Sequence, residues 1–164
     1  YRFPVFGVLA LAIGAVCTGI ARAALDELVM LATEKTPTAS RRKLAERSTT
    51  QARVGEAEAA LRAARALVDD AVAAAWAQAS ERGEVGLDRR LALRLAATHA
   101  ARTAALVTTT AHELAGVSGV YEGSPLERAF RDVQVANRHM LVAPAVNELG
   151  GRLLLGLETD TTQL

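Results

Sequence analysis

Three side chains able to hold or transfer charge share one narrow stripe of a single stretch of this chain. They are Arg128, Asp132 and His139, within Ser124-Pro-Leu-Glu-Arg-Ala-Phe-Arg-Asp-Val-Gln-Val-Ala-Asn-Arg-His139. At 100° per residue they fall within about 40° of one another, provided a single helix carries all three. Arg128 and Asp132 then form an i,i+4 pair, as do Glu127 and Arg131, each adding a few tenths of a kcal/mol. His139 lies seven residues beyond Asp132, roughly 10 Å along the axis, so the two cannot bond within one helix. Its imidazole needs another partner.

The remaining reactive groups do not form a second centre. Cys17 is the single cysteine and sits in an apolar run, which excludes an internal disulfide and reads as an inert buried thiol. His112-Glu113 is followed by Gly116 where a zinc-binding helix needs its second histidine, so no metal site is expected. His99 and His112 read as structural histidines. Gly116-Val-Ser-Gly119 offers backbone N–H groups with little side-chain hindrance, as a phosphate or ribityl contact requires, but most such turns bind nothing.

Helices must position these groups. Hydrophobic residues make up 51% of the 164 and aromatics only 4%, an alanine- and leucine-rich composition that favours close-packed helices over strands. Residues 3–20 carry no charge, long enough for a membrane span. However, Gly7, Gly14 and Ala21 recur every seven residues as a smooth ridge, and Arg22, Asp26 and Glu27 continue the helix, so a buried helix inside an assembly is expected. Residues 36–47 read as a loop. Residues 49–81 form a long helix with Val54, Leu61, Val68 and Ala75 at heptad spacing, ending near Trp76 as core or interface filling. A third helix spans 87–115, with Leu91, Leu95, Thr98, Ala101, Ala105 and Leu106 inside and Gly116 as a left-handed stop. Ser124, Pro125 and Glu127 predict a capping box opening the fourth helix. Pro144 starts a last helix running to Gly156, in which Gly150-Gly151 implies close approach, and the polar tail 158–164 is expected to fray. The fold expected is all-α: an up-and-down four-helix bundle with an additional C-terminal helix, as one domain over residues 1–164. A net charge of +1 offers no field to attract nucleic acid or an anionic membrane, so neither is expected as a partner.

Gly116-Val-Ser-Gly119, Tyr121, Ser124-Pro-Leu-Glu-Arg and Phe130-Arg-Asp132 resemble the C-terminal helical domain of the acyl-CoA dehydrogenase superfamily. In its dehydrogenases a glutamate in Tyr-Glu-Gly-Thr removes the substrate α-proton, and that position falls here on Met140, which cannot take a proton. Phe130-Arg-Asp-Val-x-x-Ala-Asn-Arg-His139 is more similar to the two-component flavin-dependent monooxygenases, in which a histidine at this position lies near the flavin and stabilises its peroxide adduct. The resemblance therefore implies the C-terminal part of a larger cytoplasmic flavoenzyme, a monooxygenase or hydroxylase using reduced FAD or FMN and O₂. A separate flavin reductase would supply the flavin, and the assembly would be a homotetramer acting on a small molecule.

By the same resemblance His139 is the catalytic hydrogen-bond donor; its structural alternative is a histidine bonded within the bundle. The Gly116, Ser118 and Gly119 turn would contact flavin, with Glu113 where the dehydrogenases carry a glutamine. Arg41 or Arg42 would reach the phosphate-bearing end of the cofactor from the first interhelical loop, if that loop is shifted; the alternative is a solvated basic loop. Two other readings stand beside this one. An acyl-CoA dehydrogenase using FAD lacks its base here, and a non-catalytic helical assembly domain would use the same seams.

Overall fold

The structure, a computed structural model, describes residues 3–38 and 40–164. Five α-helices follow one another: α1 (Val5–Glu34), α2 (Ser48–Arg82), α3 (Leu87–Ala115), α4 (Pro125–Ala136) and α5 (Ala145–Leu154), with single 3-10 turns at Leu44–Glu46, Gly116–Gly119 and Met140–Val142. No strand occurs among the described residues. This is the expected all-α architecture, four bundle helices and an additional C-terminal one.

Helix α3 is the axis of the bundle, packing against α1, α2, α4 and α5. Its interior positions are small, with Ala97, Ala100, Ala101, Ala104 and Ala111 all fully buried, so neighbouring backbones come close. The predicted ridge on α1 faces it. A Cβ added at Gly14 would lie 3.3 Å from the Ala97 carbonyl oxygen, and one at Gly7 would lie 3.2 Å from a Leu93 methyl. Ala21 completes the ridge and is fully buried, with Cys17 on the same side. Burial pushes the Cys17 thiol above its ordinary value, because ionisation there leaves a thiolate without solvent.

The opposite face of α1 is open, with Val5, Val8, Leu9, Val16, Val29 and Met30 exposed. By length and composition α1 also passes as a membrane span. On α2, Leu61 and Ala75 are buried and Val54 and Val68 half-buried, as the heptad predicts. Gly83, at φ +79°, ends that helix in the left-handed conformation.

Several expectations are corrected. Helix α4 begins after Ser124, but no Ser124 side-chain cap forms. It stops at Ala136 instead of running through His139, because Leu141 and Val142 must reach the core, where they are 7% and 0% exposed. Gly116 has positive φ (58°) with ψ at −137°, which is not the left-handed helical conformation expected. Trp76 is 66% exposed beside Phe3, and Leu106 is 70% exposed, so neither fills the core of this chain. Gly150 and Gly151 differ. A Cβ at Gly150 would meet Leu95 at 3.0 Å, whereas one at Gly151 meets nothing within 4 Å. The tail does not simply fray, since Leu164 is buried and the Gln163 carbonyl accepts a hydrogen bond from Arg94.

Candidate functional site

Beyond α4 the backbone tightens. Asn137 donates to the Val133 carbonyl at 2.9 Å, Arg138 to Val135 at 3.1 Å and His139 to Ala136 at 3.1 Å. His139 then caps the 3-10 turn Met140–Val142, its Nδ1 accepting the Leu141 N–H at 3.2 Å. An imidazole nitrogen that accepts a backbone N–H carries no proton. The neutral ring therefore holds its hydrogen on Nε2, which becomes a donor. His139 is exposed, and no acceptor for that donor occurs among the described residues.

Beside this turn Arg102, Gln134, Asn137, Arg138, Ala143 and Pro144 line a cleft of about 420 Å³. Arg128 and Asp132 pair at 3.5 Å, as expected, but the break after Ala136 takes His139 off their stripe. They line a different cleft, with Glu122, Glu127, Arg131 and the Ile20–Ala23 side of α1.

The other predicted residues gather at the opposite end of α4. The turn Gly116–Gly119 follows α3 and precedes α4, a helix of twelve residues about 18 Å long, whereas His139 lies beyond its far end. Within the turn, Ser118 Oγ accepts a 2.8 Å hydrogen bond from Lys35 Nζ, which also donates to the Ala115 carbonyl at 2.6 Å. Gly119 is buried where an added Cβ would come 3.1 Å from the His112 carbonyl, so packing alone explains that glycine. Gly116 is exposed and meets nothing within 4 Å, leaving its backbone approachable. Glu113 pairs with Arg53 at 2.5 Å across α3 and α2. His112 stacks on Phe130 with ring centroids 4.6 Å apart, in the structural role expected of it. Arg41 is exposed in the α1–α2 loop.

Three side chains escaped sequence reasoning: Lys35, Arg53 and Arg94. Lys35 and Arg53 left no signal, because their partners lie 80 and 60 residues away. Arg94 did leave one: a charged residue at an inner register position of α3, beside Leu91, Leu95 and Thr98, ought to be bonded there.

Comparisons with known proteins bear on the fold that carries this site. Indole-3-acetate monooxygenase from Pseudomonas putida is 37% identical over 156 residues, covering 95% of this chain and 40% of that protein. Among solved structures, XiaF from Streptomyces sp., crystallised with FADH2 and glycerol, superposes with a TM-score of 0.89 at 22% identity over 97% of this chain and 41% of its own. The 3-HSA hydroxylase from Rhodococcus sp. RHA1 gives 0.88 at 23% identity over 99% and 41%. The chain thus spans about two-fifths of the length of these relatives. Residues 11–144 match the family described as acyl-CoA dehydrogenase, C-terminal domain, and with most of its length accounted for in that way the chain belongs to that family.

Proposed function

We propose that this chain is the C-terminal bundle, a single domain over residues 1–164, of a flavin-dependent monooxygenase. Reduced FAD or FMN, when bound, supplies the electrons with which dioxygen is activated for insertion of one oxygen atom into substrate. The observation that carries the reading is the imidazole of His139. Its Nδ1 accepts the Leu141 N–H, and the Nε2–H of this exposed residue has no acceptor among the described residues. Such a fixed donor stabilises negative charge on a neighbouring oxygen without having to reorganise.

The turn at the far end of α4 fits the phosphate-bearing part of a flavin in one respect and resists it in another. Gly116 leaves its backbone open to close approach, whereas Glu113 would repel an anion were Arg53 not neutralising it. We assign cofactor contacts to Gly116 and Ser118 through the backbone and to Glu113 through its Arg53-paired carboxylate, with buried Gly119 shaping the turn that presents them. Arg41 reaches the cofactor's anionic end from an exposed loop, in the same or a neighbouring subunit. The open face of α1 supports burial against other domains or copies, consistent with a homotetramer in the cytoplasm served by a separate reductase. The Pseudomonas putida relative is named for indole-3-acetate, and the proposed substrate is likewise a small aromatic molecule.

The test is coupling. In the full-length protein supplied with reduced flavin, His139→Ala and His139→Asn should release several-fold more hydrogen peroxide per flavin oxidised. Unchanged coupling in both variants would remove His139 from the reaction. The dehydrogenase reading gains nothing from the structure, since Met140 stands exposed with no carboxylate in its place.

A further inference from the structure

Arg94 is 3% exposed, and among the described residues it has no carboxylate partner. Its Nη1 donates to the Gln163 carbonyl and its Nη2 to the Leu141 carbonyl at 3.2 Å, while Nε finds no acceptor. Burial lowers the pKa of the guanidinium from its ordinary value, the expected mark of a cation removed from water. A buried charge bonded only to neutral carbonyls is a poor device for stability, which an apolar side chain of similar size would serve as well. What it does provide is direction. Leu141 is held at three points: its side chain in the core, its carbonyl by Arg94, and its N–H by the imidazole of His139.

We propose that Arg94 is a positioning residue for His139. By fixing the Leu141 carbonyl it holds the 3-10 turn, keeps the Leu141 N–H aimed at Nδ1, and so keeps the imidazole proton on Nε2. The catalytic meaning of this arrangement rests on the role proposed above for His139, but the tautomer itself does not.

The two are separable by experiment. Two-bond nitrogen–proton correlation spectra of the ¹⁵N-labelled full-length protein report the tautomer of each histidine, with His139→Asn identifying the signal. Wild-type protein should show His139 as one neutral tautomer, with its proton on Nε2. In Arg94→Met, which keeps volume but loses both hydrogen bonds, that single state should be lost and the Nδ1–H form should become visible. If the methionine variant does not fold, Arg94→Gln, whose amide reaches at most one of the two carbonyls, is read in the same way. A folded variant that keeps the wild-type tautomer overturns the proposal. Peroxide release then reports on His139. It should rise several-fold in Arg94→Met, with no further rise in the double variant with His139→Asn. A changed tautomer with unchanged coupling would leave Arg94 as positioner and remove the imidazole from the chemistry.

Discussion

The α1–α3 seam and the turn bearing His139 are held by opposite means. Along the seam, packing is tight: a methyl group at Gly14 would press on the Ala97 backbone and one at Gly7 on the Leu93 side chain, and Cys17, Ala21 and Leu28 are fully buried. At the turn two exposed residues, His139 and Met140, are tethered by buried Leu141 and Val142 and by the hydrogen bonds of one arginine. Rigidity along the seam comes from exclusion of volume, and at the turn from a few directed bonds. Stability and the proposed chemistry are therefore assigned to different residues, and substitutions should separate them.

The largest effect is expected at the seam. Gly14→Leu drives a side chain into the Ala97 backbone, which cannot rotate away, and should cost about 3 kcal/mol in urea unfolding, at the upper end of overpacking effects. A near-wild-type midpoint would mean that the helices separate easily. The adjacent glycines of α5 sharpen the contrast at a smaller scale. Gly150→Ala presses on Leu95 and should lose about 1 kcal/mol, less if the leucine tip yields, whereas Gly151→Ala gains helix propensity in open space and should add about 0.5–1 kcal/mol.

Cys17 tests the seam by pH. Its native thiol keeps its proton to higher pH than the unfolded one, so stability is flat below the ordinary value of 9.0 and declines above it, as only the unfolded chain ionises. Cys17→Ala should remove that contribution to the alkaline decline, as read from urea midpoints at pH 8 and 10. The smallest effect belongs to the turn. His139→Asn should change unfolding free energy by less than about 0.5 kcal/mol, the usual range for an exposed position, while altering coupling.

Where periodicity alone determines structure, the sequence was a sufficient guide. The third helix was expected over residues 87–115 and is found at Leu87–Ala115, and the second differs by one residue at each end. The end of α4 was invisible because Asn137 is only a weak helix breaker and Arg138 is a good helix former. What ends the helix is the burial of Leu141 and Val142 against distant elements. Leu106 was misassigned, and Trp76 keeps only the interface half of its reading, because hydrophobicity reports a demand for cover without saying whether the cover lies in the same chain. At the site, motif resemblance singled out His139, but its ring orientation depends on Leu141, and the bond from Arg94 spans 47 residues. No local pattern encodes that contact.

The most direct test is a crystal structure of the full-length protein with flavin bound. We expect His139 Nε2 to face the isoalloxazine ring across a gap sized for dioxygen, with Nδ1 still accepting the Leu141 N–H. A ring bound elsewhere, leaving Nε2 in open solvent, would contradict the account.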